Sequence, residues 1–116
     1  ATRIETVPGV ASPCAAAALA GVPLAMWDEP FAVAPASARA DALRSLADSC
    51  RTLAIVKPST RPEALAELMQ RLGEGARLSA VRRAGWPEQA VAHGAAALRL
   101  AGEDYFTIAL LRRSEP

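Results

Sequence analysis

Histidine is almost missing from this chain: His93 is the only one in 116 residues. That excludes a multi-histidine metal site, and a Ser-His-acid triad would have to be built on this one ring. Aromatic residues make up only 4% of the sequence, which leaves few platforms for stacking nucleic-acid bases. An excess of either charge is lacking too. The net charge is +1, with acids and bases interspersed and no basic stripe or acidic tail. Neither nucleic acid nor an anionic membrane surface is indicated as a partner.

Long apolar runs are also absent. The longest in the first third, Cys14 to Trp27, is alanine-rich and broken by Gly21 and Pro23, too short and interrupted to span a bilayer. The opening Ala-Thr-Arg-Ile-Glu lacks the basic-then-apolar layout of a signal peptide, so a cytoplasmic location is expected. The chain has no starting methionine and begins almost directly in a strand-like segment, as a fragment or processed piece would. Cys14 and Cys50 lie far apart with no metal or redox spacing and read as two buried, reduced thiols. No Walker-type loop and no GxGxxG fingerprint occurs.

What is present is a globular composition, 52% hydrophobic and 22% charged, in a chain of one-domain length. Turn and cap residues divide it. Thr2 to Val7 is β-branched and alternating, a short strand stopped by Pro8-Gly9. Ser12-Pro13 reads as a helix cap with proline at the first helical position, followed by an alanine run that Gly21 ends. Phe31 to Ala34 reads as a short buried strand closed by Pro35. Ser37 is placed to cap a helix carrying Leu43, Leu46 and Ala47. Thr52 to Val56 is the clearest strand. Thr60 and Glu63 match a capping box ahead of Leu65, Leu68, Met69 and Leu72, which repeat at i, i+3, i+4 and i+7. Leu78 to Val81, Gln89 to His93 and Tyr105 to Leu111 read as strands, with a helical turn over Ala95 to Leu100 and a solvated tail from Arg112. Strands alternating with helices predict an α/β layered domain.

Three places are candidates for binding. Pro8-Gly9-Val10, with Ser12, stands at a strand-to-helix junction, where free N–H groups at a helix start can face a polar ligand. Val56-Lys57-Pro58 closes the central strand, and open α/β sheets bind ligands beyond the carboxyl ends of their strands. The turn Arg82-Arg83-Ala84-Gly85-Trp86-Pro87 has small residues that let a flat ligand approach the backbone. On spacing alone, an ordinary surface loop fits the last two places better, and a structural or exposed role fits His93 better than catalysis.

The ordered set of segments says more than any one of them. VPGVASPCAAAALAGVPLA (7–25) resembles the VPGVSS…AAAA…GIPL segment that opens the second domain of the tetrapyrrole (corrin/porphyrin) methyltransferases. TLAIVK (52–57) is similar to the family strand that carries an adenosylmethionine contact. RRAGWPEQAV (82–91) resembles its ERAT-x-PEQ turn, and DYFTIALLRR (104–113) its last strand. PLAMWDEPFAVAPA (23–36), Lys57 and the pair Tyr105-Phe106 resemble the precorrin-2 C-20 methyltransferase branch. The uroporphyrinogen-III methyltransferase and precorrin-6A synthase branches are the alternatives.

The resemblance implies a mixed β-sheet flanked by helices, the second domain of the tetrapyrrole methylase fold, over residues 1–116. The cosubstrate implied is S-adenosylmethionine, without a metal, and the substrate a tetrapyrrole on the route to cobalamin. The family's strand-end contact falls on Lys57, with Val56 beside it, through backbone or aliphatic stem. Its small cofactor-facing residue falls on Ala84, preceded by Arg83. Pro8, Gly9 and Ser12 are candidates for the substrate cleft. Arg82 stands where the family has glutamate, and Gly85-Trp86 where it has a threonine-containing pair. The GxGPGD-like and glycine-aspartate loops of the family's first domain do not occur. The chain is therefore expected to hold half of an interdomain site, to be inactive alone, to need the missing N-terminal domain as partner, and to form a homodimer. The reading from another class is a non-catalytic α/β ligand-binding or interaction domain.

Overall fold

The structure is a computed structural model that describes residues 2–6 and 9–113. Five strands form one sheet in the order β1-β2-β5-β3-β4. They are β1 (Phe31–Pro35), β2 (Thr52–Val56), β3 (Ala76–Arg82), β4 (Ala90–His93) and β5 (Thr107–Arg113). Only β1 and β2 are parallel, joined by a helical crossover; every other neighbouring pair is antiparallel. Helices α2 (Ala40–Ser49), α3 (Pro62–Leu72) and α4 (Ala95–Glu103) cover one face, and α1 (Ser12–Ala20) the other. This is the mixed α/β architecture that the sequence predicted.

The broad core lies under three helices and joins Leu43, Leu53, Ile55, Leu65, Leu68, Leu78 and Leu111. The α3 stripe is as predicted: Leu65 and Leu68 are buried, with Met69 and Leu72 partly buried against the same core. The second core is small and built largely from small side chains. Ala16 and Ala17 of α1 meet Ala54, Val81 and Leu110, so the alanine-rich helix lies close to the sheet. Its buried positions Pro13, Ala16 and Ala17 keep one helical face inward. Gly21 ends it at φ 70°, its N–H reaching the carbonyls of Ala17 and Ala18.

Several local expectations fail for identifiable reasons. Residues 2–6 form no strand, since β-propensity without a paired neighbour is not enough, and Val7 lies outside the described residues. Cys14 is exposed because it points away from the buried face of α1, and Cys50 is half-buried; both are free thiols. Phe31–Pro35 is a strand, but an edge strand with Phe31 and Val33 about half exposed. Arg112 and Arg113 belong to β5 rather than to a tail. Side-chain caps are absent at Ser12, Ser37 and Thr60. Ser12 is the first helical residue after an Ala11 cap, and Arg39, not Ser37, precedes α2. Thr60 belongs to a separate 3-10 turn, Pro58–Thr60, and Arg61 is the residue that precedes α3, so no capping box forms; Thr60 Oγ1 donates to the Lys57 carbonyl at 2.7 Å.

The loop before β1 is fastened by charge. The Glu29 carboxylate accepts from Arg112 at 2.9 Å and from the Met26 N–H at 3.0 Å, with Arg51 at 3.5 Å. Arg112 also donates to Thr52 Oγ1 at 2.8 Å. The Arg112 hydrogen bond, chiefly, holds the Glu29 carboxyl below the usual glutamate range. A depressed folded-state value means the contribution is complete at neutral pH and is lost as pH falls through and below that range. Thermal unfolding of Glu29→Gln between neutral and strongly acid pH is therefore expected to fall less steeply with acid than the parent. Parallel curves would show that Glu29 titrates alike in the folded and unfolded chains.

Candidate functional site

β2 and β3 run in the same direction on either side of β5, so their carboxyl ends arrive together at its start. The register fixes the meeting point: Val56 and Val81 are both paired with Ile108, and Arg82 with Thr107. These three apolar side chains lie on the α1 face, and the first turn of α1 lies over them. The result is a cavity of about 550 Å³ bounded by Ser12 and Ala15 of α1, the strand ends, and the turns that follow. A volume of this size falls within the roughly 300–1,000 Å³ typical of small-molecule sites.

Both strands end in a backbone kink. Lys57 (φ 54°) and Arg83 (φ 46°) occupy the left-handed region, which disfavours residues with a Cβ and is enriched at functional sites. Each kink is held from outside. The Lys57 carbonyl accepts from the Thr60 N–H at 3.1 Å and from its hydroxyl at 2.7 Å. The Arg83 N–H donates to the Phe106 carbonyl at 2.7 Å, and its Nε to Asp104 at 2.9 Å. Asp104 also accepts from the Phe106 N–H at 2.8 Å. The Arg83 hydrogen bond, followed by that N–H, keeps the Asp104 carboxyl below the usual aspartate range.

The rim is aromatic. Trp86 and Phe106 lie 5.4 Å apart, and Tyr105 stands edge-on to Phe106 at 5.2 Å. The Arg83 guanidinium lies 5.1 Å from the Trp86 ring centre and 5.2 Å from that of Phe106. Three of the chain's five aromatic residues are thus gathered on one rim, each about half exposed. Thr107 also borders the cavity, but strand alternation sets its side chain with Ala109 and Leu111 toward the broad core, where its hydroxyl is buried without a partner.

Val56, Lys57, Arg83, Ala84 and Ser12, all singled out from sequence, line this one cavity. Gly9 does not line it and stands in open space, and Pro8 lies outside the described residues. His93 is elsewhere. Its Nδ1 lies 2.9 Å from Ser79 Oγ, beside a separate cavity of about 520 Å³ toward the opposite end of β3. Sequence reasoning missed Val81 and Ile108, although strand alternation could have found them. It also missed the Asp104 clamp, for which the sequence holds no signal. No helix among the described residues is long and apolar enough to cross a membrane.

Residues 1–98 match the family model for Tetrapyrrole (Corrin/Porphyrin) Methylases. The chain belongs to this family. Among solved structures, the methyltransferase CobJ is similar with 27% identity and a TM-score of 0.71, over 97% of this chain and 52% of that one. A uroporphyrin-III C-methyl transferase from Thermus thermophilus, complexed with S-adenyl homocysteine, shows 25% identity and a TM-score of 0.63, over 93% and 52%. Cobalt precorrin-4 methyltransferase, CbiF, shares the fold at 24% identity and a TM-score of 0.71, over 93% and 51%. No curated protein matches the chain. The chain spans about half the length of each of these solved structures.

Proposed function

We propose that this family member is the C-terminal domain of a two-domain methyltransferase that transfers a methyl group from S-adenosylmethionine to a tetrapyrrole. The single observation that carries the reading is the convergence on one cavity of Lys57 and Ala84, where the resemblance puts the family's cofactor contacts, with their neighbours Val56 and Arg83. The residues present suit such a cosubstrate. An apolar floor of Val56, Val81 and Ile108 fits a nucleoside, and Ala84 leaves the wall low. The proposed substrate is precorrin-2. Supporting it are the segment Pro23–Ala36, Lys57 at the strand end, and the Tyr105-Phe106 pair, which resemble that branch. A homodimer in the cytoplasm goes with this reading.

When bound, S-adenosylmethionine supplies an electrophilic methyl on a sulfonium; the chain's own task is to position. Holding two reactants in line can lower a barrier by roughly 7–11 kcal/mol without an acid or base. A floor of packed strand ends, with both kinks held by hydrogen bonds, provides that rigidity. The rest of the site comes from the other domain.

Calorimetry with S-adenosylhomocysteine tests the reading. The two-domain protein is expected to bind it and to methylate precorrin-2 in preference to uroporphyrinogen-III. The 116-residue chain alone is expected to bind weakly or not at all and to show no turnover. Micromolar binding by this chain alone would overturn the half-site view. Failure of the two-domain protein to bind would favour a non-catalytic ligand-binding domain.

A further inference from the structure

Two cations line the cavity, and they are not equivalent. Arg83 is neutralised by Asp104 at 2.9 Å, and its guanidinium lies between Trp86 and Phe106. Lys57 makes no ion pair among the described residues; its Nζ lies 5.6 Å from the Tyr105 ring centre, and the side chain is exposed. Its backbone holds the left-handed conformation at φ 54°, and Thr60 fastens the Lys57 carbonyl through both its N–H and its hydroxyl. Strain held in place at a strand end beside a cavity is characteristic of functional positions. The kink takes Lys57 out of the sheet and leaves its ammonium beside an aromatic rim residue. The floor of the cavity, by contrast, carries no charge.

We infer that the Lys57 ammonium is a specificity-determining contact for a carboxylate on the substrate, and that Thr60 is the residue that positions it. The inference rests on the methyltransferase reading and adds a division of labour to it. The floor and the Lys57 backbone or stem serve the cofactor, whereas the charge serves the substrate. The floor is apolar and suits the nucleoside, whereas the exposed Lys57 ammonium stands on the rim, where a carboxylate of a substrate lying over the cavity can meet it. A point charge on a flexible stem suits a carboxylate carried on a mobile arm.

Lys57→Met in the two-domain protein removes the charge and keeps an aliphatic stem. The KM for the carboxylated tetrapyrrole is expected to rise about tenfold, the usual effect of losing a charge-assisted hydrogen bond, with kcat changed by less than about twofold. Affinity for S-adenosylhomocysteine should not change. The parent's KM should rise with added salt more steeply than the variant's, because screening weakens only the parent's contact. Lys57→Arg should restore most of the KM. Thr60→Val should raise KM in the same direction, with kcat again held. If Lys57→Met leaves KM and its salt dependence at parent values, or if it lowers S-adenosylhomocysteine affinity instead, the assignment is wrong. If the parent itself neither binds S-adenosylhomocysteine nor methylates a tetrapyrrole, the underlying functional reading fails instead, and the two failures are distinguishable.

Discussion

Ala84→Trp in the two-domain protein is expected to weaken S-adenosylhomocysteine binding by roughly a hundredfold or more, equivalent to about 2.8 kcal/mol. Thermal stability should move little. Ala84 is partly buried at the edge of the small core and borders the cavity beside the Arg83 kink. Because Ala84 lines the cavity, an indole at this position is expected to take the space the ligand needs while leaving the broad core untouched. His93→Ala supplies the contrast. Removing a general base typically costs about 10²–10⁴-fold in rate, whereas a histidine hydrogen-bonded to Ser79 in the middle of β3, outside the cavity, should leave turnover within a few-fold. Isothermal titration for Ala84→Trp and steady-state rates for His93→Ala decide the matter together. Normal binding by the first variant and lost turnover by the second would remove the family assignment at both positions.

What the sequence could show follows the range of the forces involved. β2 and α3 were legible because an apolar run and a 3.6-residue stripe are local signatures of burial, and both meet the broad core. The strand ends were legible because each is followed by residues that cannot continue a sheet, Lys57-Pro58 and Arg83 to Pro87. The insertion of β5 between β2 and β3 was not, since no local feature records which strands pair across 50 residues. That pairing brings Val56, Val81 and Ile108 together, so the site as a cavity was invisible even though its two rims were named. Thr60 shows a different limit. Its motif fits a capping box, but the kink at Lys57 folds Pro58–Thr60 into a 3-10 turn, and α3 begins one residue too late for Thr60 to be its cap. Cys14 shows the same for burial. Its helix is apolar nearly all round, so composition could not say which side faces the sheet.

The second large effect concerns stability. Leu68→Ala is expected to destabilise the 116-residue chain by about 2–5 kcal/mol, the usual cost of truncating a fully buried leucine. Leu68 is 2% exposed on α3, in the core shared with Leu43, Leu65, Leu78 and Leu111. Recovery by collapse is limited here. Much of the same core is alanine, at Ala47, Ala64, Ala80, Ala97 and Ala109, and short side chains cannot swing into the space. A domain of this size typically has only about 5–15 kcal/mol in total, so the loss should lower the melting temperature on the order of 10 °C. Leu98→Ala is the control. It removes the same atoms from a helix position 37% exposed and should cost much less. Urea titration separates the outcomes, because a cavity changes the midpoint while the slope keeps its value. A Leu68→Ala loss under about 0.5 kcal/mol, the range of surface positions, would mean that α3 does not pack on the sheet. The strand ends would then lose their support, since the Lys57 kink is held by Thr60 in the turn that leads into that helix, and the candidate site would fall with the core beneath it.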